Sequence, residues 1–385
     1  MSLSQTIARL KRGREAFASG HAQTSAGARP RGGGLQELEG FDNPGNLRGL
    51  CHVPEGLTQP AGLLVVLHGC TQNAAGYDRG AGWSKLADRH GFALLYPEQT
   101  RDNNPNLCFN WYQRGDASRG SGEAASIANM VAAMKARFPI DGERVFVTGL
   151  SAGGAMACAM LATYPDLFAG GAIIAGLPYG CAANVSEAFE CMAGRGFGNE
   201  AGLANKVRAG SRHRGRWPRV SVWHGSADRI VAPANADAVV KQWTALHGLS
   251  ASPDRVETVD GHQRAVWLGR EGQELIESYT VKGMAHGTPL MPGTGEGQSG
   301  QAQAHMLDVG LSSTDRIAAF FGLAPEVAAR GAMAAAAPRT AVGGGRSGGT
   351  ASPRKMQERP VATSAPAEGI QKTIEDALRS AGPMR

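Results

Sequence analysis

The sequence predicts an α/β fold in which helices cover both faces of a mostly parallel central sheet. Short apolar segments recur between residues 41 and 325, and helix-like segments separate them. Continuous apolar runs of about four to eight residues are typical of parallel strands that are buried on both faces. The alternation of such strands with helices indicates an α/β sheet rather than separate blocks of strands and helices.

Six segments are predicted to be strands, and two of the segments between them are predicted to be helices. The strands are predicted at Leu63–Leu67, Phe92–Tyr96, Val145–Thr148, Ala172–Ala175, Val220–Trp223 and Ile276–Val281. The helices are predicted at Ser126–Arg137 and Gly153–Thr163.

Length and composition predict one folded domain with two tails. The chain has 385 residues, of which 42% are hydrophobic, enough for one large core. Residues 1–40 are interpreted as an amphipathic stretch and linker, 41–325 as the folded α/β domain, and 326–385 as a low-complexity tail that is expected to be disordered. No apolar stretch reaches the roughly 18 residues that span a bilayer, so a soluble protein is expected.

The positive charge of the chain lies in the predicted tails. Of the formal charge of +6, residues 1–40 contribute +3 and residues 326–385 contribute +4, which leaves −1 for the body. A nucleic-acid-binding protein usually has a basic face on a folded domain. The sequence therefore predicts no nucleic-acid partner.

The segment Gly149–Gly153 carries the pattern G-x-S-x-G, with Ser151 at its centre. A predicted strand leads into it and an Ala- and Met-rich helix follows, which is the strand–turn–helix context of a nucleophile elbow. The tight turn exposes the hydroxyl, and the helix N-terminus faces the oxyanion that forms during acyl transfer. Ser151 is therefore the predicted nucleophile, and a helix N-cap serine is the alternative.

The general base and its carboxylate are predicted in loops that follow later strands. A serine hydroxyl needs a base, and in this arrangement the partners follow in the order Ser, Asp or Glu, His. Asp228 follows the strand Val220–Trp223, and His286 follows Ile276–Val281. His286 is the predicted general base, and Asp228 is predicted to orient it.

Other histidines and aspartates are weighed against these two residues. Four histidines are assigned no catalytic role: His68 and His224 are expected to be hydrogen-bonded in the core or to shape loops, whereas His262 and His305 are expected at the surface. Asp254 and Asp260 are the rival acids, but they precede a strand or lie within a turn.

Two backbone amides are predicted to form an oxyanion hole. One is the amide of Ala152, directly after the nucleophile. The other comes from the loop His68–Gln72 after an early strand, where Cys70 is the first candidate and Thr71 the second.

The six cysteines show no zinc-binding spacing. Cys181 and Cys191 lie ten residues apart in a loop-like stretch, so a disulfide between them is one possibility. Cys158 lies in an apolar helical segment and is expected to be a buried thiol. No phosphate loop, dinucleotide motif or metal constellation is present, so no cofactor is predicted.

Aromatic residues in one loop are candidates for binding the substrate. Trp111 and Tyr112 follow Cys108 and are expected either to line an apolar cleft or to pack in the core. Trp83 and Trp267 are expected in the core, and Glu123 is expected at the start of a helix.

The chain resembles the esterases of the polyhydroxybutyrate (PHB) depolymerase family. The matching stretches include VVLHGCTQNAAGYDRGAGWSKLADRHGFALLYPEQ, RVFVTGLSAGGAMACAMLATYPDLFAGGAIIAGLPYGCA, SVWHGSAD and GMAHGTPL, and they span about residues 45 to 323. The resemblance implies an α/β-hydrolase fold, with Ser151, Asp228 and His286 as nucleophile, acid and base. Many relatives have a tryptophan and Pro-Gly-Gly after the histidine, where this chain has Gly287–Leu290.

The resemblance implies a serine esterase that hydrolyses short-chain polyhydroxyalkanoate or its oligomers. An esterase that removes acetyl or feruloyl groups from polysaccharide, or cleaves small esters, is the first alternative. A peptidase and a non-catalytic polymer-binding protein are the others. The resemblance implies an extracellular location, whereas the absence of a visible signal peptide favours the cytoplasm.

Overall fold

A ten-stranded mixed sheet forms the centre of the molecule, in a computed structural model that describes residues 34–328. Its strands, in chain order, are β1 Gln36–Leu38, β2 Arg48–His52, β3 Ala61–Leu67, β4 Ala93–Glu98, β5 Ile140–Leu150, β6 Gly170–Ile174, β7 Arg219–Gly225, β8 Arg255–Val259, β9 His262–Leu268 and β10 Glu274–Val281. They lie in the order β1-β2-β4-β3-β5-β6-β7-β10-β9-β8. The six central strands, β4-β3-β5-β6-β7-β10, are parallel to one another.

The parallel centre confirms the predicted fold class, and all six strand candidates lie in it. The flanking strands β1, β2, β8 and β9 pair antiparallel and were not predicted. These strands contain polar and charged residues and are buried only in part, so they lack the continuous apolar runs of the central strands.

Nine helices are found among the described residues. They are α1 Ala74–Ala81, α2 Trp83–His90, α3 Arg114–Ala117, α4 Gly122–Arg137, α5 Ala152–Thr163, α6 Val185–Met192, α7 Glu200–Gly210, α8 Ala234–His247 and α9 Ser313–Phe320. Both predicted helices are present as α4 and α5. A separate parallel pair, β11 Thr288–Leu290 and β12 Met306–Asp308, lies in the C-terminal part of the domain.

The sheet divides the core into two apolar layers. On β3, Leu63, Val65 and Leu67 belong to one layer, whereas Leu64 and Val66 belong to the other. Helices α4 to α8 contribute to the first layer, and α1, α2 and α9 contribute to the second. Side chains alternate between the two faces of a strand, so burial on both faces requires an uninterrupted apolar segment.

The folded body begins earlier than the sequence suggests. Strand β1 pairs with β2, and it lies inside the segment 1–40 that the sequence predicts to be an amphipathic stretch and linker. Residues 1–33 and 329–385, which include most of both predicted tails, lie outside the described residues. Between residues 34 and 328, no helix has the length and apolar character needed to cross a bilayer.

Candidate active site

Three parallel strands end at the same edge of the sheet, and each is followed by one of the predicted catalytic residues. Ser151 follows β5, Asp228 follows the turn after β7, and His286 lies in the loop after β10. In the strand order β5-β6-β7-β10, the loops after β7 and β10 are neighbours, and the turn after β5 lies one strand further along the same edge. Ligand sites of α/β sheets lie at this carboxyl edge. The arrangement therefore brings together residues that are far apart in sequence.

Ser151 occupies a strained turn between β5 and α5. Its φ of 57° and ψ of −118° are unfavourable for a residue with a side chain. Its amide donates a hydrogen bond to the carbonyl of Ile174 on the neighbouring strand, at 2.9 Å. Ser151 occupies the N-cap position of α5, but its side chain makes no capping hydrogen bond to that helix.

The two glycines of the motif allow close approach of backbone segments. A Cβ atom at Gly149 would lie 2.4 Å from the carbonyl carbon of Gly153, across the turn. A Cβ atom at Gly153 would lie 2.4 Å from the carbonyl oxygen of Leu67, at the end of β3. The glycines therefore permit the turn and allow α5 to begin against β3.

His286 and Asp228 form a buried hydrogen-bonded pair. Nδ1 of His286 lies 2.7 Å from Oδ2 of Asp228. The other carboxylate oxygen of Asp228 accepts hydrogen bonds from the amides of Ile230 and Val231, at 2.9 and 3.0 Å. Because the carboxylate is held on both oxygens, it fixes the proton of neutral His286 on Nδ1 and leaves Nε2 free to accept a proton.

The loops that carry this pair are bonded to each other. The amide of Ser226 donates to the carbonyl of Val281, and the amide of Ala227 donates to that of Met284. The hydroxyl of Ser226 accepts from the amide of Gly283. These bonds extend the parallel pairing of β7 and β10 beyond the sheet, so Asp228 and His286 are held together by backbone as well as by their side chains.

The environment keeps Asp228 ionised. Burial would raise the pKa of Asp228, but the charge of His286 and hydrogen bonds from His224 and His286 lower that pKa by more. The net result is a pKa well below the usual range of aspartate. An ionised carboxylate at this position can stabilise an imidazolium on His286.

The second ring nitrogen of His286 lacks a partner. Among the described residues, Nε2 of His286 is a buried atom with no hydrogen bond, so no bond joins it to the hydroxyl of Ser151. A buried polar atom without a partner calls for an explanation. Catalytic hydrogen bonds are often long before substrate binds, and they tighten in the reacting complex.

The loop His68–Gln72 lies next to the nucleophile turn because β3 and β5 are neighbours. The amide of Thr71 donates to Asn106 at 2.7 Å, and the amide of Gly69 donates to the side chain of Gln72 at 2.8 Å. The structure shows no hydrogen bond from the amides of Cys70 or Ala152 to any other described residue. Of the two candidates in this loop, Cys70 is therefore the one whose amide is not already engaged.

Cys70 forms a disulfide with Cys108. The suggested Cys181–Cys191 disulfide is wrong, since both cysteines are free and the thiol of Cys191 instead donates to the carbonyl of Cys181. The error arose because separation in sequence does not determine which loops meet in space. Cys158 is a buried free thiol, as predicted.

The structure confirms two of the four histidine assignments and corrects the other two. His68 and His224 are buried and hydrogen-bonded, to Gly69 and to Val231. His262 is not at the surface: it is buried and bonded to Val309. His305 is half-buried, and its ring packs edge-to-face against His286. Both errors arose because the polar sequence around these histidines does not reveal the backbone that covers them.

The rival carboxylates have partners elsewhere. Asp254 accepts a hydrogen bond from the amide of Leu268, beside β8 and β9. Asp260 lies in the turn between these strands and pairs with Arg316 at 2.8 Å. Neither is the carboxylate that is bonded to His286.

Trp111 and Tyr112 are buried in the first apolar layer, with 8% and 3% of their surfaces exposed. Their rings pack edge-to-face, at 5.4 Å between centroids. Core packing is therefore the role that the structure displays for them, and a role in substrate binding stays a prediction. Trp83 and Trp267 are also buried, as expected.

Glu123 is the second residue of α4, as predicted, but it is fully buried. One of its oxygens accepts hydrogen bonds from the side chains of Gln99 and Asn110, at 2.5 and 2.9 Å. The other accepts from the backbone amide of Asn110. Gln99 also bonds to the carbonyl of Cys108, so this network supports the disulfide-linked loop.

No group of three or more histidine, cysteine or acidic side chains between residues 34 and 328 has the arrangement of a metal site.

Comparisons with known proteins agree with this architecture. The family model described as Esterase PHB depolymerase matches residues 50–261. A poly(3-hydroxyalkanoate) depolymerase C of Paucimonas lemoignei is 49% identical over 75% of this chain and 70% of its own length. A probable acetylxylan esterase A of Aspergillus clavatus is 33% identical over 68% of this chain and 86% of its own.

A solved structure extends the likeness to the fold. The acetyl xylan esterase from Aspergillus awamori matches with a TM-score of 0.65 and 26% sequence identity, over 76% of this chain and 100% of its own. The sequence match, the α/β-hydrolase architecture and the family model point to one class of protein. The chain therefore belongs to the esterase PHB depolymerase family and is an ester-hydrolysing enzyme.

Proposed function

We propose that Ser151, His286 and Asp228 form a catalytic triad that hydrolyses poly-3-hydroxybutyrate or its oligomers through an acyl-enzyme. The observation that carries this proposal is the buried bond between His286 and Asp228, which leaves an unpartnered imidazole nitrogen at the edge where the Ser151 turn lies. The reaction needs such a nitrogen to accept the proton of the hydroxyl.

In the proposed reaction, the hydroxyl oxygen of Ser151 attacks the ester carbonyl while Nε2 of His286 takes its proton. The amides of Ala152 and Cys70 are suited to stabilise the oxyanion, because neither is engaged by another described residue. The imidazolium then protonates the departing alcohol. Water cleaves the acyl-enzyme by the same route, and Asp228 stabilises the cation in both stages.

The triad is tested by steady-state turnover of p-nitrophenyl butyrate. Ser151→Ala is expected to lower kcat by at least about 10⁴-fold, and Asp228→Asn by about 10⁴-fold, with folding retained. Ser252→Ala is the matched control, because Ser252 is exposed in a loop before β8. Turnover of the Ser151→Ala enzyme at the wild-type rate would remove Ser151 from the mechanism.

The polyester is proposed as substrate because the 49% identical relative bears the name of a polyhydroxyalkanoate depolymerase. The second candidate is an ester on a decorated polysaccharide, since the relatives near 33% identity and the similar solved structure are acetylxylan esterases. Release of 3-hydroxybutyrate from amorphous polymer should be compared with release of acetate or ferulate from decorated xylan. Faster release from xylan would favour the second candidate.

A further inference from the structure

His305 contacts the segment 286–288 at two points. Its Nδ1 lies 3.3 Å from the backbone carbonyl oxygen of His286, and the two rings pack edge-to-face with centroids 5.9 Å apart. Its own carbonyl accepts a hydrogen bond of 2.8 Å from the amide of Thr288. The backbone carbonyl of His286 can only accept a hydrogen bond, so its contact with Nδ1 of His305 requires the proton on that nitrogen.

His305 is the last residue of a segment that connects helix α1 with the strand pair β11 and β12. This segment, residues 299–305, is called the strap here. The amide of Gln301 donates to the carbonyl of Gly80, and the side chain of Gln303 donates to that of Gly76, both on α1. Beyond His305 the chain enters β12, which pairs with β11. The strap is therefore fixed to the helix that follows the loop His68–Gln72 and to the strand that follows His286.

The conformation of His305 is held by this surrounding structure. Its φ of 60° lies in the left-handed region, which histidine, asparagine and aspartate adopt more readily than most residues. Burial and the neighbouring His286 lower the pKa of His305, which favours the neutral ring. A neutral ring with its proton on Nδ1 suits a donor to the His286 carbonyl.

Hydrogen bonds to the loop of Asp228 hold the backbone before His286 as far as Met284, and His305 makes the next backbone contacts, with the carbonyl of His286 and the amide of Thr288. Gly283, three residues before His286, has a φ of 69°, and Gly287 follows His286 directly. The bond to Asp228 holds the ring but not the main chain. A base must be held within about 0.5 Å of its productive position, so its backbone also needs a fixed point.

We propose that His305 is a positioning residue for the base, and that its hydrogen bond to the carbonyl of His286 fixes the backbone from which that imidazole extends. This inference rests on the proposed function of His286. The bond to Asp228 then sets the rotation of the His286 ring, and the bond from His305 sets the position of the His286 backbone.

The test uses three substitutions that tolerate a left-handed backbone. His305→Asn keeps a donor, since the amide nitrogen of asparagine occupies nearly the position of Nδ1. His305→Gly removes the donor. His305→Asp has the shape of asparagine but presents an oxygen to the carbonyl. Each enzyme is assayed for kcat and KM with p-nitrophenyl butyrate, and its melting temperature is recorded.

We expect His305→Gly and His305→Asp to lower kcat by about 10- to 100-fold, as small displacements of catalytic groups do. KM should change by less than about threefold, because the reacting geometry rather than substrate binding is altered. His305→Asn should retain at least about one third of the wild-type kcat. His305→Asp also introduces a charge, so kcat is compared at the plateau of each pH–rate profile, where a shifted ionisation of the base does not contribute. At that plateau, a residue that serves only packing would not distinguish asparagine from aspartate, because the two side chains have nearly the same volume. If His305→Gly fails to fold, the comparison of His305→Asn with His305→Asp still tests the proposal.

The inference is overturned if His305→Asp matches wild-type kcat, or if His305→Asn is as slow as His305→Asp. The Ser151→Ala enzyme separates this failure from that of the proposed function. An inactive Ser151→Ala enzyme beside fully active His305 variants would contradict only the role of His305. An active Ser151→Ala enzyme would contradict the triad itself.

Discussion

Two residues of the candidate site are held in energetically unfavourable states, one with a strained backbone and the other with a buried charge. Ser151 has a positive φ, and the acid Asp228 keeps its charge although it is buried. Glu123 shows the opposite effect of burial. Desolvation and the charge of Asp116 raise the pKa of Glu123 well above its usual range, although its hydrogen bonds act in the opposite direction. The same side-chain chemistry therefore has opposite charge preferences at two sites.

The raised pKa of Glu123 predicts a pH-dependent contribution to stability. Between the unfolded pKa of about 4.3 and the higher folded pKa, the folded protein binds more protons than the unfolded chain. The free energy of unfolding should therefore fall as pH rises through this window, by at most about 1.4 kcal/mol per pH unit. Glu123→Gln cannot titrate, so its stability penalty should shrink as pH rises.

Urea unfolding of both proteins between pH 5 and 8 measures this difference. Glu143→Gln is the control, because Glu143 is exposed on β5. A Glu123→Gln penalty that stays constant across the range would show that Glu123 titrates alike in the folded and unfolded states.

At the scale of elements, the site depends on how closely α5 approaches β3. The carbonyl oxygens of Leu67 and His68 lie where a side chain on Gly153 would begin, at 2.4 and 2.5 Å from the Cβ position. Both are backbone atoms at the end of a central strand and cannot move independently. The start of α5 and the loop His68–Gln72 are therefore fixed relative to each other.

Gly153→Ala should consequently destabilise the protein by about 2 kcal/mol or more, as overpacking does, and should lower esterase activity by displacing Ser151 and Ala152. Gly115→Ala is the matched control, since no atom lies within 4 Å of its Cβ position and Gly115 belongs to α3. It should leave stability unchanged or raise it by up to about 1 kcal/mol. Thermal unfolding and nitrophenyl ester turnover measure both effects. Equal behaviour of the two variants would contradict the close packing.

At the scale of the whole molecule, a disulfide links the loops that follow two neighbouring parallel strands, β3 and β4. Cys70 follows β3, and Cys108 follows β4, 38 residues later in the chain. The bond connects the loop His68–Gln72 to the buried network around Glu123. The four other cysteines are free and buried.

Thiol titration of the unfolded protein should find four thiols before reduction and six after it. Removal of the disulfide by Cys70→Ala with Cys108→Ala should lower the free energy of unfolding by about 4 kcal/mol, because the unfolded chain loses a constraint on a long loop. The double variant Cys181→Ala with Cys191→Ala is the control for lost thiol volume. Two thiols before reduction would indicate a second disulfide and contradict the free state of Cys181 and Cys191.

The sequence by itself determined the parallel centre of the sheet and the strand contexts of Ser151, Asp228 and His286. Strands buried on both faces must be continuously apolar, and the nucleophile turn needs glycines on each side of its serine, so both features are visible in a single chain. The flanking antiparallel strands contain polar and charged residues, so they lack the continuous apolar segment that identifies a central strand.

Only the tertiary structure decided which distant groups meet. In the structure, His286 is hydrogen-bonded to Asp228, and His305 contacts His286. Cys70 forms its disulfide with Cys108, and Trp111 is buried in the core. The pairing of Cys181 with Cys191 does not occur. These contacts depend on strand order and on loops that cross between elements. Local patterns record which face of an element is buried, but not which other segment covers it.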